Sequence, residues 1–479
     1  MNQTDPGNTV VAGRGSPATG RRPLATPSSR DSLRLIRSMF NDPAGALDQI
    51  RASVGTDCLL AAGPVKIAVI GDPSIVSELL TMPASQFRWA HRYNVIGLRF
   101  VIGRTSMIVS DGADHDRRRG AVQPAFAKRR LNSWAPMILH DTDLAIERLV
   151  AYAGGTEGTV DVYPHMRRLV LGITLRAFFG ERMAAHVDEI SDRYLRPQHF
   201  IEAPAIRQLP HPIPFTNRAR VRADKRAING LIDDEITQRR RSPPPDRPDV
   251  LDLMLARDSL TDTEIRDQAR TLIGAGYDTT AAAIAWMLLR ATATPGVWTQ
   301  LRHEADTVLH PRATSTEGSA DDDTLARLVY AGRVVRESLR LHPAGLIGAR
   351  AAAHDLVLGG GTVPRGTLIL WSPYLAGRDP ETWSAPLDFD PDRFVELSPQ
   401  QKSINDRAWI PFGRGPHACL GFALAQMEMT LIVSRLAQRL DVITTLATMP
   451  RPIGLIVNRP EGGAPLSVTA RPTAHVANP

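Results

Sequence analysis

The stretch PFGRGPHACLGFALAQMEMTLIVSRLAQRL, residues 411–440, decides how the rest of the chain is read. From Phe422 onward the apolar residues Ala425, Met429, Ile432, Leu436 and Leu440 recur at helical spacing, so a long helix begins just after Cys419. A cysteine there sits where the partial positive charge of a helix N-terminus favours a thiolate. Gly413, Gly415 and Gly421 allow tight bends and the close approach of a flat ligand. Backbone N–H groups of such a loop can point at the sulfur, and Phe412 can cover its apolar side. Glycine-rich loops also cradle phosphate, but no Gly-Lys-Ser/Thr element is present, which excludes a Walker A site. Taken alone, Cys419 reads as a small buried hydrophobe in a turn.

Composition narrows what surrounds this loop. Of 479 residues, 43% are hydrophobic and 22% charged, ordinary values for a water-soluble globular protein. No run reaches the roughly 20 apolar residues that cross a bilayer, and no apolar stretch follows Arg14, Arg21 and Arg22 to make a signal peptide. The expectation is a cytoplasmic protein without a membrane anchor. Two cysteines, Cys58 and Cys419, exclude a disulfide framework and a four-cysteine metal site within one chain. The net charge of +7 comes without zinc-finger spacing, aromatic-basic interleaving or a basic tail, so nucleic acid is not expected as a partner. A basic docking patch and a merely soluble surface both remain open uses of that charge.

Outward from the loop, the chain reads as mainly α with small β-sheets. Residues 1–30, rich in Gly, Pro, Ser and Arg, read as a disordered tail, and 31–479 as a single domain without internal repeats. VKIAVIGD (65–72) is a strand and turn, followed by a helical SIVSELL segment. LNSWAPMILHDTDLAIERLVAYA (131–153) and MRRLVLGITLRAFFG (166–180), stopped by Gly180, are helices. SPPPDRP (242–248) and PRATSTEGSADDD (311–323) are surface loops. Strand signals return at HDLVLGG (354–360), TLILWSP (367–373) and between Ile453 and Val468.

Three further segments carry chemistry. ESLRLHP (337–343) puts Glu337 and Arg340 on one helical face, on its own an ordinary i,i+3 ion pair. In DSLTDTEIRDQARTLIGAGYDTTAAAIAWMLLRAT (258–292), Thr261 and Glu264 make a capping box for about thirty residues of helix. Gly274 and Gly276 interrupt that helix beside Asp278, Thr279 and Thr280, a costly mid-helix composition unless it also serves close packing or a ligand. In DGADHDRRRG (111–120), His115 and Arg119 stand four apart.

The pattern Phe412-x-x-Gly415-x-x-x-Cys419-x-Gly421 resembles the haem-binding loop of the cytochrome P450 superfamily, and the other segments follow in that family's order over roughly residues 40–475. The resemblance implies the P450 fold, with haem b between the long central helix and the cysteine-loop helix and Cys419 as thiolate ligand of its iron. It implies that Arg393 in FDPDRF (389–394) joins Glu337 and Arg340 to hold the loop. It implies that Ala275 and Gly276 make room for dioxygen, that Asp278 and Thr279 serve proton delivery, and that His115, Arg119, Arg350 and His417 meet the haem propionates, with Phe412, Gly413 and Gly421 against the cofactor. For substrate, it points to Phe87, Trp89, Ile96, Leu98, Phe100 and Ile102, together with Ile273, Leu346 and Ile347, as an apolar pocket. The implied activity is monooxygenation of a hydrophobic small molecule of secondary metabolism. Electrons would come from a separate ferredoxin or flavodoxin-like donor with its reductase, docking near Arg414 of a monomeric enzyme. Peroxide-driven turnover, oxidative cyclisation or coupling are the enzymatic alternatives, and a haem-binding sensor the non-enzymatic one.

Overall fold

The computed structural model describes residues 24–471 apart from 91, 155–157, 204, 212, 244, 258 and 310–323. The loop expected over 311–323 and most of the expected tail therefore lie outside the described residues. The reading of a tail to residue 30 is corrected at its end: Ala25 bridges Cys58, and the Ser28 side chain caps helix α1 (Ser29–Asn41).

The helices that frame the site are α2 (Arg92–Ile102), α3 (Gly112–Val122), α4 (Ala135–Tyr152), α5 (Val162–Ala184), α6 (Val187–Glu202), α7 (Asp262–Gly276), α8 (Asp278–Ala293), α9 (Val329–Leu341) and α10 (Phe422–Arg439). Apolar residues of α4, α5, α7, α8, α9 and α10 share the largest core, with Trp286 of α8 fully buried. The 262–293 stretch is the one among the described residues long and apolar enough to cross a membrane, but it is the mostly buried centre of this core.

Strands gather at the edge of the helical body. β1 (Asp57–Ala62), β2 (Val65–Ile70), β3 (Phe87–Arg88), β5 (Gly348–Ala352) and β8 (Leu368–Trp371) form a sheet in the order β1-β2-β8-β5-β3, with only β2 and β8 parallel. β4 (Gly158–Asp161), β9 (Leu440–Thr444) and β12 (Pro465–Ala470) form a second sheet. β6 (Leu356–Leu358) pairs with β7 (Gly361–Val363), and β10 (Pro452–Ile453) with β11 (Arg459–Pro460). β1, β3 and β4 come earlier in the chain than the sequence signals suggested. β1 in DCLLAA lacks a strict alternation, and β3 and β4 are too short to show a period.

Two expected helices are divided. Gly180 leaves helical geometry at φ 78°, but the chain resumes helix to Ala184 instead of stopping. The central helix breaks between Gly276 and Asp278. There the Thr279 hydroxyl donates to the Ala275 carbonyl (2.8 Å) and the Thr280 hydroxyl to that of Gly276 (3.1 Å). Hydroxyls that bond back onto carbonyls four residues earlier compete with the backbone ladder and bend a helix. At the N-terminus of α7 the capping box between Thr261 and Glu264 is closed in both directions.

Candidate functional site: a cavity between the broken helix and the cysteine loop

A cavity of about 440 Å³ separates the α7–α8 break from the cysteine loop. Ala275, Gly276, Thr279 and Thr280 line it on one side; Phe412, Gly413, Cys419 and Gly421 line it on the other. The loop folds back on itself through a bond from the Cys419 N–H to the Phe412 carbonyl (2.9 Å). Gly413 and Gly415 adopt φ 65° and 77°, and a Cβ on Gly415 would stand 2.9 Å from the Leu80 carbonyl oxygen, so a side chain fits neither conformation nor space. Gly421 has an ordinary backbone and caps α10; its contribution is a bare surface facing the cavity.

Cys419 is exposed, but to this cavity, deep inside the molecule. That burial pushes the thiol pKa up, while the Gly421 N–H and the Arg119 charge pull it down. Phe412 packs edge-on to Trp409 at 5.9 Å, closing the apolar side of the loop.

The rim carries an excess of cationic side chains. Arg119 reaches the Ala418 carbonyl (2.9 Å) and Arg350 the Leu79 carbonyl (3.3 Å); neither they nor His417 has an acidic partner among the described residues. The Nε of Arg350 is buried with no acceptor, and burial lowers this guanidinium to about 10. His417 is stacked between Trp89 (3.6 Å) and His115 (3.7 Å); burial first, then the neighbouring His115, Arg350 and Arg119, push it down to about 2. His115 also meets the exposed Asp116 carboxylate at 3.0 Å. Two guanidiniums without acidic partners among the described residues, Arg119 and Arg350, beside an apolar slot with a cysteine at its floor, suit a flat, dianionic, iron-bearing ligand: the residues present fit haem.

Glu337, Arg340 and Arg393 meet. Arg340 binds Glu337 through two hydrogen bonds of 2.7 and 2.8 Å, with both side chains fully buried, and Arg393 Nε reaches the same carboxylate at 2.9 Å. Their remaining N–H groups are taken by the carbonyls of Gly377, Ser384, Pro386 and Asp388. The triad therefore ties α9 to the 377–393 segment, with the two guanidiniums sharing one carboxylate and their other N–H groups hydrogen-bonded. A second link runs to the cysteine loop: Arg336 of α9 holds Asp406 (2.6 Å), and Arg414 turns inward to the Asp406 carbonyl.

Asp278 and Thr279 face opposite ways. Thr279 lines the cavity, whereas Asp278 is buried behind the helix. The Asp278 carboxylate accepts from Tyr163 Oη (2.7 Å), Arg167 Nε (2.6 Å) and the Gln198 amide.

A second, larger cavity of about 610 Å³ adjoins the first, with Trp89, Ala275, Thr279 and Ile347 common to both. Among the expected pocket residues Trp89, Leu98, Ile102 and Ile347 line it. Five are corrected. Phe87 points into the sheet core and lies under the Arg350 guanidinium, 4.7 Å from its ring centre. Phe100 packs outward against Phe200 and Arg218. It and Ile96 are off the wall because helical spacing turns Leu98, Val101 and Ile102 inward. Ile273 and Leu346 are fully buried in apolar clusters, while their neighbours Gly274 and Ile347 reach the cavity.

Sequence reasoning missed Tyr194, Gln198, Glu202, Ile456 and Arg459 on the larger cavity and Glu428 on the smaller. Glu428 makes no hydrogen bond among the described residues, its Oε1 is fully buried, and burial raises its carboxyl to about 8. The only available signal was an acidic residue within the apolar spacing of α10.

A cysteine at the mouth of a helix, a small-residue groove opposite it and a cationic rim define a haem-thiolate protein. The family profile for cytochrome P450 matches residues 34–463, and the chain belongs to that family. It is a monooxygenase-class oxidoreductase with haem b as cofactor. The chain is 33% identical to cytochrome P450 139 of Mycobacterium tuberculosis over 74% of its length and 81% of that protein's. It is 32% identical to the cyclooctatin synthase of Streptomyces melanosporofaciens (78% of each chain) and 29% identical to the pentalenene oxygenase of Streptomyces avermitilis (74% of this chain, 77% of the other). In fold it is similar to a retinoic acid-bound cyanobacterial CYP120A1, with TM-score 0.80 and 22% identity over 94% of this chain and 99% of that one.

Proposed function

We propose that this chain oxidises a terpenoid-sized hydrophobic molecule of secondary metabolism, with electrons from a separate ferredoxin or flavodoxin-like protein. The observation that carries the reading is the larger cavity, about 610 Å³ and mostly apolar, opening onto Thr279 and Ala275 across from Cys419. Two bacterial relatives named for steps on cyclooctatin and pentalenene support the substrate class. The site works as one catalytic unit, a monomer in the cytoplasm.

Thiolate-bound haem supplies the oxidising chemistry, in which one atom of dioxygen enters the substrate and the other leaves as water, using two electrons and two protons. In this reading Cys419 Sγ would ligate the iron, and Arg119, Arg350, His115 and His417 would hold the propionates. Ala275 and Gly276, which line the cavity with little or no side chain, would leave room there for dioxygen. Thr279 can exchange its bond to the Ala275 carbonyl for one to a water and so orient a proton donor. Asp278, held by three donors, keeps the helix break in place and acts on the cavity through Thr279 and water, not by contact. The apolar walls exclude bulk water.

The test compares product formation from a terpenoid panel with NAD(P)H, a ferredoxin and its reductase against product formation with hydrogen peroxide alone. Turnover in the first arm supports the reading; turnover with peroxide only contradicts it.

A further inference from the structure

The larger cavity is mostly apolar, with Asn41, Gln208 and Thr271 among its lining residues, and its only charged lining residues among the described ones, Glu202 and Arg459, stand together at one corner. There the end of α6 supplies Gln198 and Glu202, the helix break supplies Tyr277, and β11 supplies Arg459. Glu202 accepts from Arg459 Nη2 (2.6 Å) and from the Val457 N–H (3.0 Å), which fastens α6 to the turn before β11. That accounts for the carboxylate but leaves donors over. Arg459 Nη1 is buried with no acceptor. The Tyr277 hydroxyl accepts from Arg167 Nη2 (3.0 Å) and donates to no described group. The Arg459 and Asp278 charges both act on the Tyr277 phenol, so these groups share one neighbourhood. Its charges balance, two guanidiniums (Arg167, Arg459) against two carboxylates (Asp278, Glu202).

A neutral charge balance with two donors unfilled calls for a neutral acceptor. A carboxylate would bring an unbalanced charge, and a pure hydrocarbon would leave both donors unpaired, a loss that makes hydrogen-bonding pockets discriminate strongly. We propose that this corner is a specificity subsite for a single hydroxyl or carbonyl oxygen on an otherwise hydrocarbon substrate, held by the Tyr277 hydroxyl and, after a small rotation of its guanidinium, by Arg459. The inference rests on the larger cavity being the substrate site. The anchored oxygen leaves the hydrocarbon body along the wall of Leu98, Val101 and Ile102 toward Thr279. Oxidation then falls on whichever carbon this anchor turns toward Thr279, and an earlier oxygenation or carbonyl-forming step must supply the substrate.

Rigid cage probes of one shape test this: adamantane, 1-adamantanol, 2-adamantanone and 1-adamantanecarboxylate, titrated against the haem-loaded protein by the Soret difference spectrum. Tyr277→Phe removes only the hydroxyl, and Arg459→Lys keeps a charge beside Glu202 should the first variant fail to load haem. The expected result is that either variant raises the Kd ratio of ketone to hydrocarbon about tenfold, leaves adamantane within twofold, and that the wild type binds the carboxylate most weakly. Binding of all probes with an unchanged ratio in both variants overturns the subsite while leaving the hydrophobic pocket standing. No Soret change with any probe in the wild type contradicts the pocket reading itself, and the subsite with it.

Discussion

At the scale of single residues, burial without a partner distinguishes Glu428 from every carboxylate named above. Its pKa in the folded protein, about 8, lies above the ordinary value of 4.5, so its favourable contribution is complete below that lower value and is lost as pH rises through about 8. Glu428→Gln should therefore match the wild type in thermal or denaturant unfolding near pH 4.5 and exceed it above pH 8, by roughly 3–5 kcal/mol. Equal stability at high pH would show that the carboxyl is solvated or paired. Asp278 is the opposite case, a carboxylate with three donors. Asp278→Ala strands the Arg167 guanidinium and should cost about 3–5 kcal/mol in urea unfolding. Thr279→Ala should keep stability and ligand binding but divert NAD(P)H into hydrogen peroxide or water; peroxide assay against product yield reads this, and full coupling would remove Thr279 from proton delivery. Cys419, Thr279 and the Glu337–Arg340 pair were legible in the sequence because motif spacing marks them. Glu202 and Arg459 were not: they lie 257 positions apart and only the fold brings them together.

At the scale of elements, the groove opposite Cys419 exists because the central helix breaks. The capping box and the glycines announced a long helix with a weak point, and at the break the Thr279 and Thr280 hydroxyls turn back onto the preceding carbonyls. Among the expected substrate residues, Phe87, Ile96 and Phe100 miss the cavity wall for a related reason, while Trp89, Leu98 and Ile102 reach it. Residues 87–109 comprise a two-residue strand, a helix and a short 3₁₀ turn, each with its own facing, which composition alone does not reveal. On the cysteine loop, Gly415→Ala places a side chain at φ 77° against the Leu80 carbonyl. It should destabilise the protein by about 1–3 kcal/mol and lower the haem-to-protein ratio of purified material. Undiminished haem content would mean the loop can shift without disturbing the thiolate.

At the scale of the whole molecule, helices make the largest core and the sheets are small, as the mainly-α reading expected; strand residues such as Ile67, Ala349 and Leu370 form part of the larger cavity's wall. The larger cavity was less legible. Its wall draws on α1, α2, α6, α7, the β2–β8 sheet and the turn before β11, segments spread over more than four hundred residues. No local pattern reports such a convergence. The central claim nevertheless rests on one atom, the Cys419 sulfur. The most direct measurement is the carbon monoxide difference spectrum of the dithionite-reduced protein, wild type beside Cys419→Ser. The expected result is the red-shifted Soret band of thiolate-ligated haem in the wild type and its disappearance in the variant; an unchanged band in Cys419→Ser would contradict the account.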